Sequence, residues 1–134
     1  MSEPAEDRRT EARERALGLL YEAEAKTIPV KVVLDALVVP PDALALLLAD
    51  GVGERHQQID GLITEFLRGW TLERLPVVDR LVLSIATFEL LARGDTPTAV
   101  IIDEAVELAK RYSTDESPAF VNGILSSIAA KVRP

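Results

Sequence analysis

Four arginines, Arg8, Arg9, Arg13 and Arg15, form the one dense basic cluster in a chain of 134 residues. A guanidinium offers a planar fork of donors that grips phosphate oxygens and stacks on unpaired bases, so the cluster is a candidate RNA contact. Glu11 and Glu14 interrupt it. On a helix the side chains turn about 100° per residue, which spreads the four groups over two faces. A solvated, salt-bridged first helix is the simpler reading of the same residues.

Other candidates for chemistry fall away one by one. Asp103, Glu104 and Glu107 are carboxylates at helical spacing, but no histidine is near them in sequence and they lie opposite an apolar stripe. That is the pattern of a solvated face. The single histidine, His56, excludes most zinc geometries and histidine-centred triads. Ser84 and Ser126 have no general base in a recognisable motif, and the absence of cysteine removes thiolate chemistry and disulfides. No catalytic constellation and no cofactor loop remains. Phe120 and the dipeptide Asn122-Gly123 stand out because Asn-Gly ordinarily marks a turn, yet here it falls within a helical pattern. Close helix packing over Gly123, with Asn122 bonding a backbone group, is the simpler reading; ligand contact is the other. Trp70 reads as a core plug between two halves of the chain.

The formal charge of −7 argues against a general nucleic-acid coat, since phosphate binding is driven by Lys and Arg. An RNA site must be local or shared with a partner. No apolar run reaches the roughly 18–20 residues of a membrane span, and residues 2–14 are charged where a signal peptide is apolar. The expected location is the cytoplasm.

Whatever these residues do, helices must position them. Pro29, Pro41, Pro76 and Pro97 each precede an apolar-periodic run, as expected for prolines at the first helical position. Thr96 is the expected cap before Pro97, and Asp115 the cap before Pro118. Ile101, Ala105, Leu108, Ala109 and Tyr112 form one stripe, and Val121, Ile124, Leu125, Ile128 and Val132 another. Residues 75–91 are apolar almost all round, which belongs at the centre of a bundle. Within that segment Asp79, Arg80, Ser84, Thr87 and Glu89 each need a partner or an opening to solvent. Residues 8–26 and 30–39 read as helices. Residues 42–67 read as one long helix, bent near Gly51 and Gly53. The expectation is an all-α fold in one domain, with residues 8–69 and 70–134 as two packed halves meeting at Gly69-Trp70-Thr71.

Three motifs, in this order, resemble the NusB family of bacterial transcription antitermination factors. Arg8-Arg9-Thr10-Glu11-Ala12-Arg13 leads to Leu19-Leu20-Tyr21-Glu22, and Leu75-Pro76-Val77-Val78-Asp79-Arg80 to Phe88-Glu89-Leu90. Pro97 and Asp103-Glu104-Ala105 then lead to Ser117-Pro118-Ala119-Phe120-Val121-Asn122-Gly123. The resemblance covers roughly residues 8–130 and implies about seven helices in two packed three-helix halves. It implies binding of the boxA element of ribosomal RNA leaders together with NusE, a small-subunit ribosomal protein, and loading onto RNA polymerase. By position, Arg8, Arg9 and Arg13 would face RNA, with Glu116 and Phe120 beside them; Tyr21 and Asp79 would contact the protein partner. Asp79 is then expected near the exposed start of its helix.

The chain departs from the family where Glu6, Asp7, Glu11 and Glu14 enter the arginine stretch and where Ser84 replaces a commonly basic residue. Both lower the affinity expected for RNA by this chain alone. Two alternatives stay open: an interaction module without RNA binding of its own, and kinship with the N-terminal domain of ribosomal RNA cytosine methyltransferases. Family members include monomers and dimers, so a homodimer is compatible with the sequence.

Overall fold

The structure, a computed structural model, describes residues 5–134, with side chains from Arg8 onward. The first four residues, where the charged stretch 2–14 begins, lie outside it. Among the described residues there are seven α-helices and no strand: α1 (Ala5–Lys26), α2 (Val30–Asp35), α3 (Ala43–Glu54), α4 (His56–Phe66), α5 (Val77–Ala92), α6 (Thr98–Tyr112) and α7 (Ser117–Val132). A 3-10 turn, Leu72–Arg74, leads into α5.

The prolines start helices from one position earlier than expected. Pro29, Pro76 and Pro97 each sit just before the first helical residue, in extended backbone with ψ of 144°, 139° and 140°. Proline's fixed φ suits that position as well as the first turn, and it gives up no helical hydrogen bond there. Thr96, the expected cap of α6, therefore lies outside the helix and is buried. The residue after Pro41 does the capping for α3: the Asp42 carboxylate accepts from the Leu44 N–H at 3.0 Å. Pro118 lies in the first turn of α7, where the residue before the helix is Glu116 and not Asp115.

The segment expected as one long helix is two. The chain breaks at Arg55, where φ is −107° and ψ is 18°. Gly51 and Gly53 remain helical and serve a different purpose. A Cβ at Gly51 would lie 2.2 Å from Cζ of Phe88, and one at Gly53 would lie 2.6 Å from Cγ1 of Val30. These glycines let α3 approach α5 and α2. The Arg55 guanidinium then sits over the Phe88 ring, 5.9 Å from its centroid. The valine-rich segment is helical only over α2; Val38 and Val39 stand exposed beyond it.

Helix α5 is the axis, as its all-round apolar sequence demands. It packs against α1, α3, α4, α6 and α7, and residues 81–90 are buried without interruption. All seven helices contribute to one contiguous core. The polar residues of α5 are settled individually. Ser84 donates to the Arg80 carbonyl at 2.9 Å, Asp79 accepts from the Ser113 hydroxyl, and Glu89 is held by two arginines. Thr87 Oγ1 is left without a partner among the described residues. At the far end the Arg133 guanidinium donates to the carbonyls of Glu89, Leu90, Arg93 and Thr96, so a cation closes the C-terminus of α5. Trp70 is not the expected core plug: it is 56% exposed, beside Gly69 at φ +77°. Open space surrounds Gly123, and Asn122 is exposed, so close helix packing does not explain that dipeptide. No described helix is long and apolar enough to cross a membrane.

Candidate nucleic-acid and partner interface

Helices α1 and α6 flank a groove that their side chains bridge. Near its start the Thr10 hydroxyl donates to Glu104 Oε1 at 2.8 Å. One turn further along α1, Glu14 accepts from Arg111 and, at 2.9 Å, from the Tyr112 hydroxyl. The order of these bridges runs upward on both helices, so the two run in the same general direction.

Arg13 lies at the floor of this groove, and its position corrects the reading of it as an RNA contact. The side chain is 1% exposed, as is Glu89. Nε and Nη2 of Arg13 donate to the two Glu89 oxygens at 2.9 and 2.8 Å, and Glu104 lies 3.7 Å away on the open side. Burial works against the guanidinium's charge, but the Glu89 hydrogen bonds and the charges of Glu89 and Glu104 outweigh it and hold the pKa above its ordinary value. Arg93, one turn along α5 from Glu89, donates to the same carboxylate at 2.8 Å. Both arginines are committed to the interior. Glu89, on the largely apolar α5, signals in the sequence that a partner or an opening to solvent is needed, but not which residue supplies it.

The remaining candidates divide among three clefts. Arg9 lines the α1–α6 groove, a space of about 620 Å³ that also takes in Arg93, Pro97, Val100, Asp103 and Arg111. Arg8 is exposed on the same stretch of α1. Tyr21, half-exposed, lines a second cleft of about 640 Å³ with Glu14, Arg15, Val78 and Tyr112. Asp79, Glu116 and Phe120 share a third, of about 580 Å³, with Trp70 and Thr114. The arginines at 8 and 9 are therefore not beside Glu116 and Phe120. Arg9 lines the groove along α6, while Glu116 and Phe120 line the separate cleft beyond its C-terminus.

Asp79 is likewise not exposed at its helix start. It is buried at the base of the third cleft, accepting from Ser113, whose own hydroxyl accepts from Ser117 at 3.0 Å. Thr114 and Ser117 hydroxyls lie 2.8 Å apart, closing a small polar network under the α6–α7 turn. Sequence reasoning passed over Trp70, Tyr112 and Arg111 as site residues. Tyr112 falls in the apolar stripe of α6, and only the fold reveals that its position is at the rim. Among the described residues no group of histidines and carboxylates is arranged to hold a metal.

Comparison with known proteins agrees with this geometry. The NusB family profile matches residues 10–130. The structure of NusB from T. maritima superposes with a TM-score of 0.86 at 38% identity, covering 100% of this chain and 96% of that one. Antitermination factor NusB, solved with NusE and double-stranded RNA, gives 0.76 at 27% identity, covering 92% of this chain and 96% of that one. NusB from Aquifex aeolicus in solution gives 0.75 at 27% identity, covering 92% and 88%. With the family profile spanning nearly the whole chain and the fold repeated helix for helix, this protein belongs to the NusB family.

Proposed function

We propose that this chain is a transcription antitermination factor that binds boxA-type RNA of ribosomal RNA leaders jointly with a NusE protein, in the cytoplasm, as part of a complex on RNA polymerase. The observation that carries the reading is its likeness, over 92% of the chain, to a NusB solved together with NusE and RNA. The clefts supply a chemical rationale. Arg9, in the α1–α6 groove, is suited to phosphate contact, and Trp70 and Phe120 offer aromatic surface in the third cleft. The third cleft presents Asp115 and Glu116 to a partner, with Asp79 buried at its base, and a basic ribosomal protein complements such a surface.

Charge decides how the work is shared. The chain carries −7, and two arginines of its groove, Arg13 and Arg93, are held by Glu89. Little of the phosphate-binding charge can come from this protein, so affinity must rise steeply when NusE adds its own. Titration of labelled boxA RNA, with and without NusE and against a scrambled sequence, is expected to give weak, salt-sensitive binding that strengthens with NusE. Equal affinity for both RNAs in the presence of NusE would refute the reading. Burial of Arg13 favours a second reading, an interaction module with no RNA contact of its own. Arg9→Glu separates the two: unchanged boxA affinity of the complex supports the module, and a severalfold loss supports the RNA-binding factor.

A further inference from the structure

Glu14 bridges α1 to the last turn of α6, where the groove meets the second cleft, and each of its oxygens has a donor of its own. Arg111 Nη1 donates to Oε1, and the Tyr112 hydroxyl donates to Oε2 at 2.9 Å. A guanidinium and a phenol presented together to two anionic oxygens are a phosphodiester-binding arrangement already filled from within. We propose that Glu14 is an internal stand-in for an RNA phosphate: the RNA backbone binds Arg111 and Tyr112 by displacing the Glu14 carboxylate. This rests on the RNA-binding reading above and assigns that function a residue that limits it.

Position supports the exchange. Arg111 lines the same groove as Arg9, and Tyr112 stands two residues before Thr114 of the third cleft. Energetics identify which of the groove's ion pairs can open. Arg13–Glu89 is 1% exposed on both sides, and separating such a pair strands a buried charge. Arg111 is 46% exposed and Glu14 28%, and pairs of that kind contribute little and exchange readily with solvent or another anion. Glu107, 3.3 Å from Arg111 Nε, keeps the guanidinium oriented toward the groove after Glu14 leaves. Tyr112, half-exposed, presents a ring face on which a base can stack.

The test is a double-mutant cycle read by RNA binding to the full chain with NusE. Glu14→Gln is expected to tighten boxA binding about fivefold, the scale of one exposed pair no longer competing. The slope of log K against log salt should steepen by about 0.7, one further single-strand phosphate contact. In an Arg111→Ala background the same Glu14→Gln change should gain almost nothing. A gain that persists there reflects bulk charge and overturns the proposal, as does an unchanged affinity for E14Q in the native background. Absence of boxA binding by the unaltered pair overturns the functional reading itself and the inference with it. An RNA-free readout checks the contact directly. The Glu14 hydrogen bond and charge hold the Tyr112 phenol above its ordinary pKa. With only Tyr21 and Tyr112 to titrate, alkaline absorbance should show one of the two phenols moving down in E14Q. Identical curves overturn the proposal.

Discussion

Arg13 illustrates how a charge's role follows from where its chain neighbours send it. Ala12 and Ala16, beside it on α1, are buried, so the inward face of the helix carries the guanidinium into the core. Glu89 receives it with two hydrogen bonds, and Arg93 neutralises what remains of that carboxylate. Arg13→Met removes one side of a buried pair, which costs about 3 kcal/mol because the other charge is left in a poor solvent. Arg93, 18% exposed, keeps part of the compensation and sets the loss below that of a fully isolated carboxylate. The double variant R13M/E89M removes both charges and should recover more than half of the loss, as apolar replacement of buried pairs commonly does. Urea denaturation followed by circular dichroism measures both. A variant R13M of unaltered stability but weakened RNA binding would place the guanidinium on the RNA instead.

Glycine at 51 shows the same dependence for a helix. Gly51→Ala keeps helix propensity on its side by up to about 1 kcal/mol, which taken alone predicts stabilisation. The new methyl group would sit 2.2–2.8 Å from three atoms of the Phe88 ring, which is itself buried. Overpacking of that kind costs about 1–3 kcal/mol, so the net change is expected to be destabilising. A raised melting temperature for G51A would show that the ring can move aside. Propensity and packing point opposite ways here, and this is why the glycines suggest a bend within one long helix where the structure has a close approach. Glycine announces a special backbone environment but not whether it is a bend or a close approach, and the break came at Arg55. Helix existence was legible because proline positions and apolar periodicity are local. Site membership was less so. The family motifs point to Tyr21, Asp79, Glu116 and Phe120, all of which border clefts. The burial of Arg13 and the Glu14–Arg111 bridge depend on residues 76 and 97 positions apart, and one-dimensional spacing carries no trace of them.

The molecule as a whole is organised around α5, and this bears on whether its two halves have separate existence. The division at Gly69–Thr71 falls before α5, yet α1, α3 and α4 all pack on that helix from the first half. A chain ending at residue 69 would lack α5, and Leu17, Leu20, Leu48, Val52, Ile59 and Ile63 on the helices packed around it would lose much of their cover. At about 1.5–3 kcal/mol for each large apolar side chain, that is roughly 10 kcal/mol or more. The total stability of an ordinary domain is only about 5–15 kcal/mol. The charged network is severed as well, since Arg13 belongs to the first half while Glu89 and Glu104 belong to the second. The fragment 1–69 is therefore expected to be largely unfolded, with little helical circular dichroism and no slowly exchanging amides. The full chain should unfold in a single transition with equal calorimetric and van't Hoff enthalpies. A protected, helical fragment, or two resolved calorimetric peaks, would establish the halves as independent units. In the expected case, the proposed RNA and partner sites share one cooperative scaffold, and a mutation in the α5 core should weaken every one of them together.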